Sequence, residues 1–164
     1  MTNYNTVLPT ASELIKSAAE AYNGAVCVDT KRYLKGIISQ MVRNLDAYFD
    51  SNGHVKWSKA ALEKAVELNV DAKLINWKTQ TKWDRKREVL HFDHKTTVKD
   101  IVEGILRNPS DTQKILNSVE IVWITKEENR VLDKSGYRNT RTDHSAAYVE
   151  CMIEVVALGQ EGIE

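Results

Sequence analysis

Two of the chain's four histidines stand three positions apart, in the stretch Glu88-Val89-Leu90-His91-Phe92-Asp93-His94-Lys95-Thr96-Thr97, with an aspartate between them. It is the one place where metal-ligating and proton-transferring residue types crowd together. A His-x-Asp-His cluster can bind a divalent metal. It can equally set a general base beside a carboxylate that orients it. On a strand, His91 and Asp93 share one face, and His94 at the following turn can serve either side. His94 with Asp93 is therefore the candidate catalytic pair. His91 and Asp93 are the candidate metal ligands, and the cluster itself supplies no third. The plainer reading is a half-exposed strand whose polar residues face water. No cofactor is firmly implied, and a divalent metal is the one the residue types allow.

Immediately upstream the composition turns basic and polar, in Trp77-Lys78-Thr79-Gln80-Thr81-Lys82-Trp83-Asp84-Arg85-Lys86-Arg87. Lys78, Lys82, Arg85, Lys86 and Arg87 suit phosphates, and the indoles of Trp77 and Trp83 suit stacking on unpaired bases. Arg138 and Arg141 extend the set. Trp and Arg also dominate protein interfaces, so a protein complex is an equal candidate partner. The segment reads as a linker, a hairpin arm or an irregular strand. Against both partner readings stands a solvated arm whose tryptophans pack on the core.

Asp93-His94, followed by Asn108 and Asn117, resembles the HNH family of metal-dependent nucleases. The resemblance makes His94 the base that activates water and gives the metal to Asp93 and Asn117. It covers this segment only, and residues 97–106 read as a helix where that family has a strand and loop. Asp93-His94-Lys95 after Val89-Leu90-His91-Phe92 also resembles the PD-(D/E)xK nucleases. There Asp84 or Asp71 is the upstream acid and Lys95 polarises the attacking water.

These residues must be positioned by the elements around them. Thr10 to Gly24 reads as a capped helix with Leu14, Ile15, Ala18, Ala19 and Tyr22 on one face. From Asp29, the steps Leu34, Ile37, Ile38, Met41, Val42, Leu45, Tyr48 and Phe49 make a wide apolar stripe, read as core-facing in preference to a dimer seam. Ser51-Asn52-Gly53 ends that helix and His54 sits in the turn. Ser58 caps a third helix. Thr97 opens a fourth, through Val98, Ile101, Val102, Ile105 and Leu106, which stops at Asn108-Pro109. Ser110 to Leu116 is a short helix. Val119 to Thr125 is the strongest strand, β-branched and nearly continuous, which marks it as central. Thr125 with Glu128 boxes the next helix, and Asp143 caps one reaching Cys151. Residues 153–158 read as a closing strand and Gly159 onward as a tail.

A length of 164 residues suits one globular domain. The expected organisation is a helical part over 10–75, a basic connector over 76–87, an α/β part over 88–158 and a tail over 159–164. Equal numbers of basic and acidic residues, 23 each, exclude a surface wholly dedicated to polyanions and leave a local patch. Cys27 and Cys151 are far apart. A disulfide stays open, and buried thiols in a reducing compartment is the reading two cysteines favour. There is no apolar run of membrane length and no signal-peptide pattern, so a cytoplasmic, non-membrane protein is expected. Its oligomeric state is left open.

The fold class expected is α+β and helix-rich: three N-terminal helices packed with a small mixed sheet and further helices. The leading functional expectation is a small binding protein that engages nucleic acid or a protein complex through the basic Trp segment. The alternative is a metal-dependent nuclease using Asp93 and His94.

Overall fold

The computed structural model of the protein describes residues 4–50 and 55–156. In chain order the helices and strands are α1 (Tyr4–Gly24), α2 (Val28–Asn44), α3 (Asp46–Phe49), β1 (Val55–Ser58), α4 (Lys59–Glu67), α5 (Gln80–Trp83), β2 (Leu90–His94), α6 (Val98–Arg107), α7 (Thr112–Asn117), β3 (Ile121–Thr125), α8 (Lys126–Lys134), α9 (His144–Glu150) and β4 (Val155–Val156). The turn expected over Ser51-Asn52-Gly53 and His54 lies outside the described residues, as do the tail and the end of the closing strand. The architecture is the helix-rich α+β fold with a small mixed sheet.

The sheet runs in the order β2-β3-β1-β4. β1 and β3 are parallel, whereas β2 pairs antiparallel with β3 and β4 antiparallel with β1. β3 is buried along its whole length, as its unbroken run of apolar and β-branched residues requires. Its odd positions face one helical layer and its even positions the other. Ile121 and Trp123 join the core built with α1, α2, α4, α6 and α7, while Val122 and Ile124 pack with Leu132, Ala147 and Tyr148 of α8 and α9. Trp57 of β1 stacks on Trp123, with ring centroids 5.6 Å apart. β1 was not expected from the sequence. Four residues are too few to display an alternating pattern, and what makes them a strand is pairing with β3.

Four of the caps read from sequence are formed, whereas Thr10 and Asp29 lie inside α1 and α2, and α7 starts after Asp111 rather than Ser110. Ser58 accepts from the Ala61 amide, Thr97 from Asp100, and Asp143 from Ser145 and Ala146. Thr125 and Glu128 make a full capping box. α6 turns Val98, Ile101, Val102, Ile105 and Leu106 inward, and α2 buries Ile38 and Val42. Three local expectations are corrected. α1 starts at Tyr4 rather than Thr10, carrying Pro9 inside it; burial of Leu8 favours the extension. Cys27 is exposed and Cys151 buried, both as free thiols, so only one of the pair is a buried thiol. Among the described residues no helix is long and apolar enough to cross a membrane.

The third correction concerns the basic segment. It is neither a linker, a hairpin arm nor a strand. It folds into α5 and a 3-10 turn over Arg85–Arg87, with Lys86 and Arg87 at positive φ. Asp84 is the reason. Its buried carboxylate accepts the amides of Glu88 and Val89 on one oxygen and of Leu90 on the other, at 2.8–3.0 Å. Gln80, also buried, donates its amide to Asp84 and to the Leu90 carbonyl. These bonds satisfy the start of β2 on its open edge and bring the chain into β2 at a set angle. Asp84→Ala leaves three amides without their acceptor. It should cost about 3 kcal/mol of folding stability, read as a lower urea midpoint with unchanged slope. A variant with the wild-type midpoint contradicts this assignment.

Candidate functional site

β2 is an edge strand, and its two faces look into different layers. Leu90, Phe92 and His94 point into the larger core; His91 and Asp93 point towards α8 and α9. The ladder shows which backbone groups are free. The Lys126 amide donates to Val89 and the Lys95 amide to Glu120, so the odd positions of β2 bond to β3 and the even ones face outward. A cleft of about 540 Å³ runs beside this open edge and draws on both layers. That volume is typical of a ligand site.

Two interactions fix the walls. Asp93 is clamped by Arg141, whose Nη1 and Nη2 reach its two carboxylate oxygens at 2.7 and 3.1 Å. The same guanidinium donates to the carbonyls of Tyr137, His94 and Lys95, and the Tyr148 hydroxyl donates to Asp93. Arg141 is 4% exposed and Asp93 7%, so neither charge is left to water. Burial opposes the arginine's charge, but the bonds and charge of Asp93 outweigh it and hold its pKa above the usual value. Burial, and then the charge of Asp93, push the Tyr148 phenol far up, so it remains a proton donor.

On the other face, His94 Nε2 lies 3.0 Å from Asp46 Oδ1 of α3, both nearly buried. The His94 ring sits edge-on to Phe49 and Phe92. Trp77 packs on Phe92 and carries the Arg87 guanidinium over its ring, 3.8 Å from the centroid. Asp50 of the α2–α3 region accepts the Trp77 amide, and burial raises its pKa.

His91 is different. Its Nδ1 takes a hydrogen bond from Lys126 Nζ at 3.1 Å. That bond needs a lone pair on Nδ1, which places the ring proton on Nε2. Burial first, and then the Lys126 charge, lower the His91 pKa below its usual 6.5.

The expected site residues are thus divided. His91, Asp93, His94, Trp77, Arg87, Arg138 and Arg141 all line the cleft. Lys78, Lys82, Trp83, Arg85 and Lys86 do not; they are exposed on the outer side of the folded connector, with Trp83 39% exposed. Asn117, the expected third metal ligand, ends α7 as an exposed residue outside the cleft. Asn108 is likewise exposed and bonds to Asp111. Both oxygens of Asp93 are already bound. Among the described residues no group of three His, Cys, Asp or Glu side chains is placed to hold a metal ion. Asp46 was missed because it lies far from His94 in sequence. Arg43, Lys99, Lys126 and Asn129 also line the cleft. Their signal was hidden, because each sits on the polar face of a helix that reads as ordinary solvated surface.

The cleft is strongly polarised for a chain of zero net charge. Arg43, Arg87, Lys99, Lys126, Arg138 and Arg141 line it against Asp46, Asp93 and Asp133. Asp46 and Asp93 are each held by a partner. Arg43 and Arg138 are exposed and make no ion pair among the described residues. The cleft therefore presents an excess of unneutralised positive charge.

Two outcomes follow for stability. Arg141→Met strands the Asp93 carboxylate and should cost about 3–5 kcal/mol, whereas Arg141→Met with Asp93→Leu should recover much of that loss. A double variant no more stable than the single one contradicts the clamp. For His91, the unfolded chain takes a proton near pH 6.5 while the folded chain resists it. Stability from this group is complete above that pH and is lost as pH falls below it, down to the folded midpoint. His91→Gln should flatten that acid-side loss, measured by urea unfolding at pH 7.5 and pH 5.5. An identical loss in both proteins contradicts it.

Comparison with family models, with curated proteins and with solved structures gives no match. The reading of the cleft accordingly rests on its own chemistry.

Proposed function

We propose that this is a nucleic-acid-binding protein that receives a single strand in the cleft along β2. The observation that carries this reading is the cluster of cations at one edge of a chain whose charges cancel overall. A sugar–phosphate chain offers regularly spaced anions to such a row and releases counterions on binding. A single strand fits better than a duplex. The cleft lies beside a strand of five residues, and Lys82, Arg85 and Lys86 of the connector, which precedes that strand, add exposed cations. Trp83, exposed on that outer side, offers a ring for an unpaired base. Trp77 does not, because Arg87 and Phe92 pack against its ring.

One observation favours a second reading, a nuclease. An imidazole held by a carboxylate, as His94 is by Asp46, is how a general base is oriented. On this reading His94→Ala abolishes cleavage of RNA or DNA in Mg²⁺, Mn²⁺ or Zn²⁺ while the protein stays folded. Intact substrate with the wild-type protein in all three ions removes it.

Binding is tested by fluorescence anisotropy with labelled single-stranded RNA and DNA across a salt series. Arg43→Glu with Arg138→Glu should weaken binding by about tenfold or more. The double variant should also reduce the log–log salt slope by about 1.4, the value for two lost phosphate contacts on a single strand. No binding to either nucleic acid at low salt, or binding that ignores these substitutions, overturns the proposal. Capture of an acidic protein by the same cleft would then take its place.

A further inference from the structure

Within the cleft one ammonium is set against the ring nitrogen of a part-buried histidine. Lys126 opens α8 and its Nζ meets a single described partner, the His91 ring nitrogen at 3.1 Å. An ammonium has three donors, so two remain without a described partner at the cleft wall. Lys99 likewise has one described partner, the Thr140 hydroxyl at 3.3 Å, but that partner is an exposed hydroxyl, whereas Arg87 and Arg141 are tied to backbone carbonyls and rings. A neutral imidazole is a poor partner for a cation, because it returns no charge. The pair is what an anion site looks like with its anion exchanged for the nearest available lone pair.

The neighbours agree. Asn129, one turn along α8, lines the same wall and offers an amide N–H₂ at the spacing that places it beside Lys126. Arg138, in the loop after α8, is exposed, lines the cleft and makes no ion pair among the described residues. The charged groups around His91 are Lys126 and Asp133 of α8 with Asp93 on its own face of β2, while His94 of the same strand acts from the opposite face. β3 contributes only Ile124 opposite it. Asp93 is neutralised by Arg141. That leaves Asp133 against Lys126 and Arg138, and a surplus of one positive charge, enough for one phosphoryl group.

We propose that Lys126, Asn129 and Arg138 form a phosphoryl-binding subsite in which a phosphate oxygen replaces the His91 ring as the partner of Lys126. The subsite deepens the nucleic-acid reading by naming where one phosphate of the strand sits. Its test does not depend on that reading, because inorganic phosphate and pyrophosphate serve as probes.

The full chain is titrated with each probe at constant ionic strength, against a chloride control, and followed by NMR. The signals read are the Asn129 side-chain amide and the His91 ring. The expected result is saturable, paired shifts at both residues with pyrophosphate, weakened about tenfold or more in Lys126→Gln. Lys114→Gln, an exposed α7 residue outside the cleft, should leave them unchanged. Lys126→Arg keeps the charge and should restore most of the affinity, which separates loss of the site from loss of the fold. Shifts that never saturate, or that survive Lys126→Gln, overturn the subsite. If oligonucleotide binds while pyrophosphate leaves both signals unmoved, the subsite fails and the nucleic-acid reading stands. If pyrophosphate binds at Lys126 and no oligonucleotide binds, the subsite stands and that reading fails.

Discussion

The ion pair between Arg141 and Asp93 is the constraint on which the rest of the cleft depends. It joins three parts of the chain at one point: the end of β2, the loop after α8, and α9 through Tyr148. The Arg141 amide also donates to Asp100, which draws in the first turn of α6. A buried pair of this kind is weak evidence for overall stability, since desolvating both charges offsets much of their attraction. Its effect is on geometry. With the guanidinium spread over one carboxylate and three carbonyls, the loop from Tyr137 to Asp143 has one place to lie, and Arg138 and Asn139 are carried to the cleft with it.

The second constraint is the edge itself. An exposed strand edge invites pairing with other chains unless something covers it. Here Asp84 and Gln80 take the groups at Leu90, and Arg141 takes the carbonyl of His94. The edge is blunted at both ends by side chains, and between them the cleft lies open. Charged residues along it repel ordinary β-pairing and leave a groove suited to a charged ligand. The same residues that protect the fold therefore shape the site. Gln80 pays a local cost, since its buried carbonyl oxygen has no donor.

Much of the fold was legible because it rests on local rules. Ser58, Thr97, Thr125 and Asp143 sit where caps belong, and the stripes of α2 and α6 follow helical spacing. β3 declares itself by composition. What was not legible depends on partners far away in sequence. β1 is a strand only because β3 lies beside it. The connector looks like a free arm until Asp84 is seen binding three amides that follow it. Asp93 reads as a metal ligand until Arg141, 48 residues later, takes both its oxygens. The histidine stretch lines the cleft. Its chemistry was harder to read, because His91 and His94 face opposite layers and meet Lys126 and Asp46, whose positions no spacing rule supplies.

The central claim is that a nucleic-acid strand lies along the open edge of β2. Photo-crosslinking of a 4-thiouridine-containing RNA to the full chain, with adducts mapped by mass spectrometry, tests it most directly. The account predicts adducts on the cleft walls, at peptides carrying Trp77 to Phe92 and Lys126 to Arg141, competed away by unlabelled strand. Adducts confined to the far side of the molecule, such as the exposed Tyr33 face of α2, would contradict it.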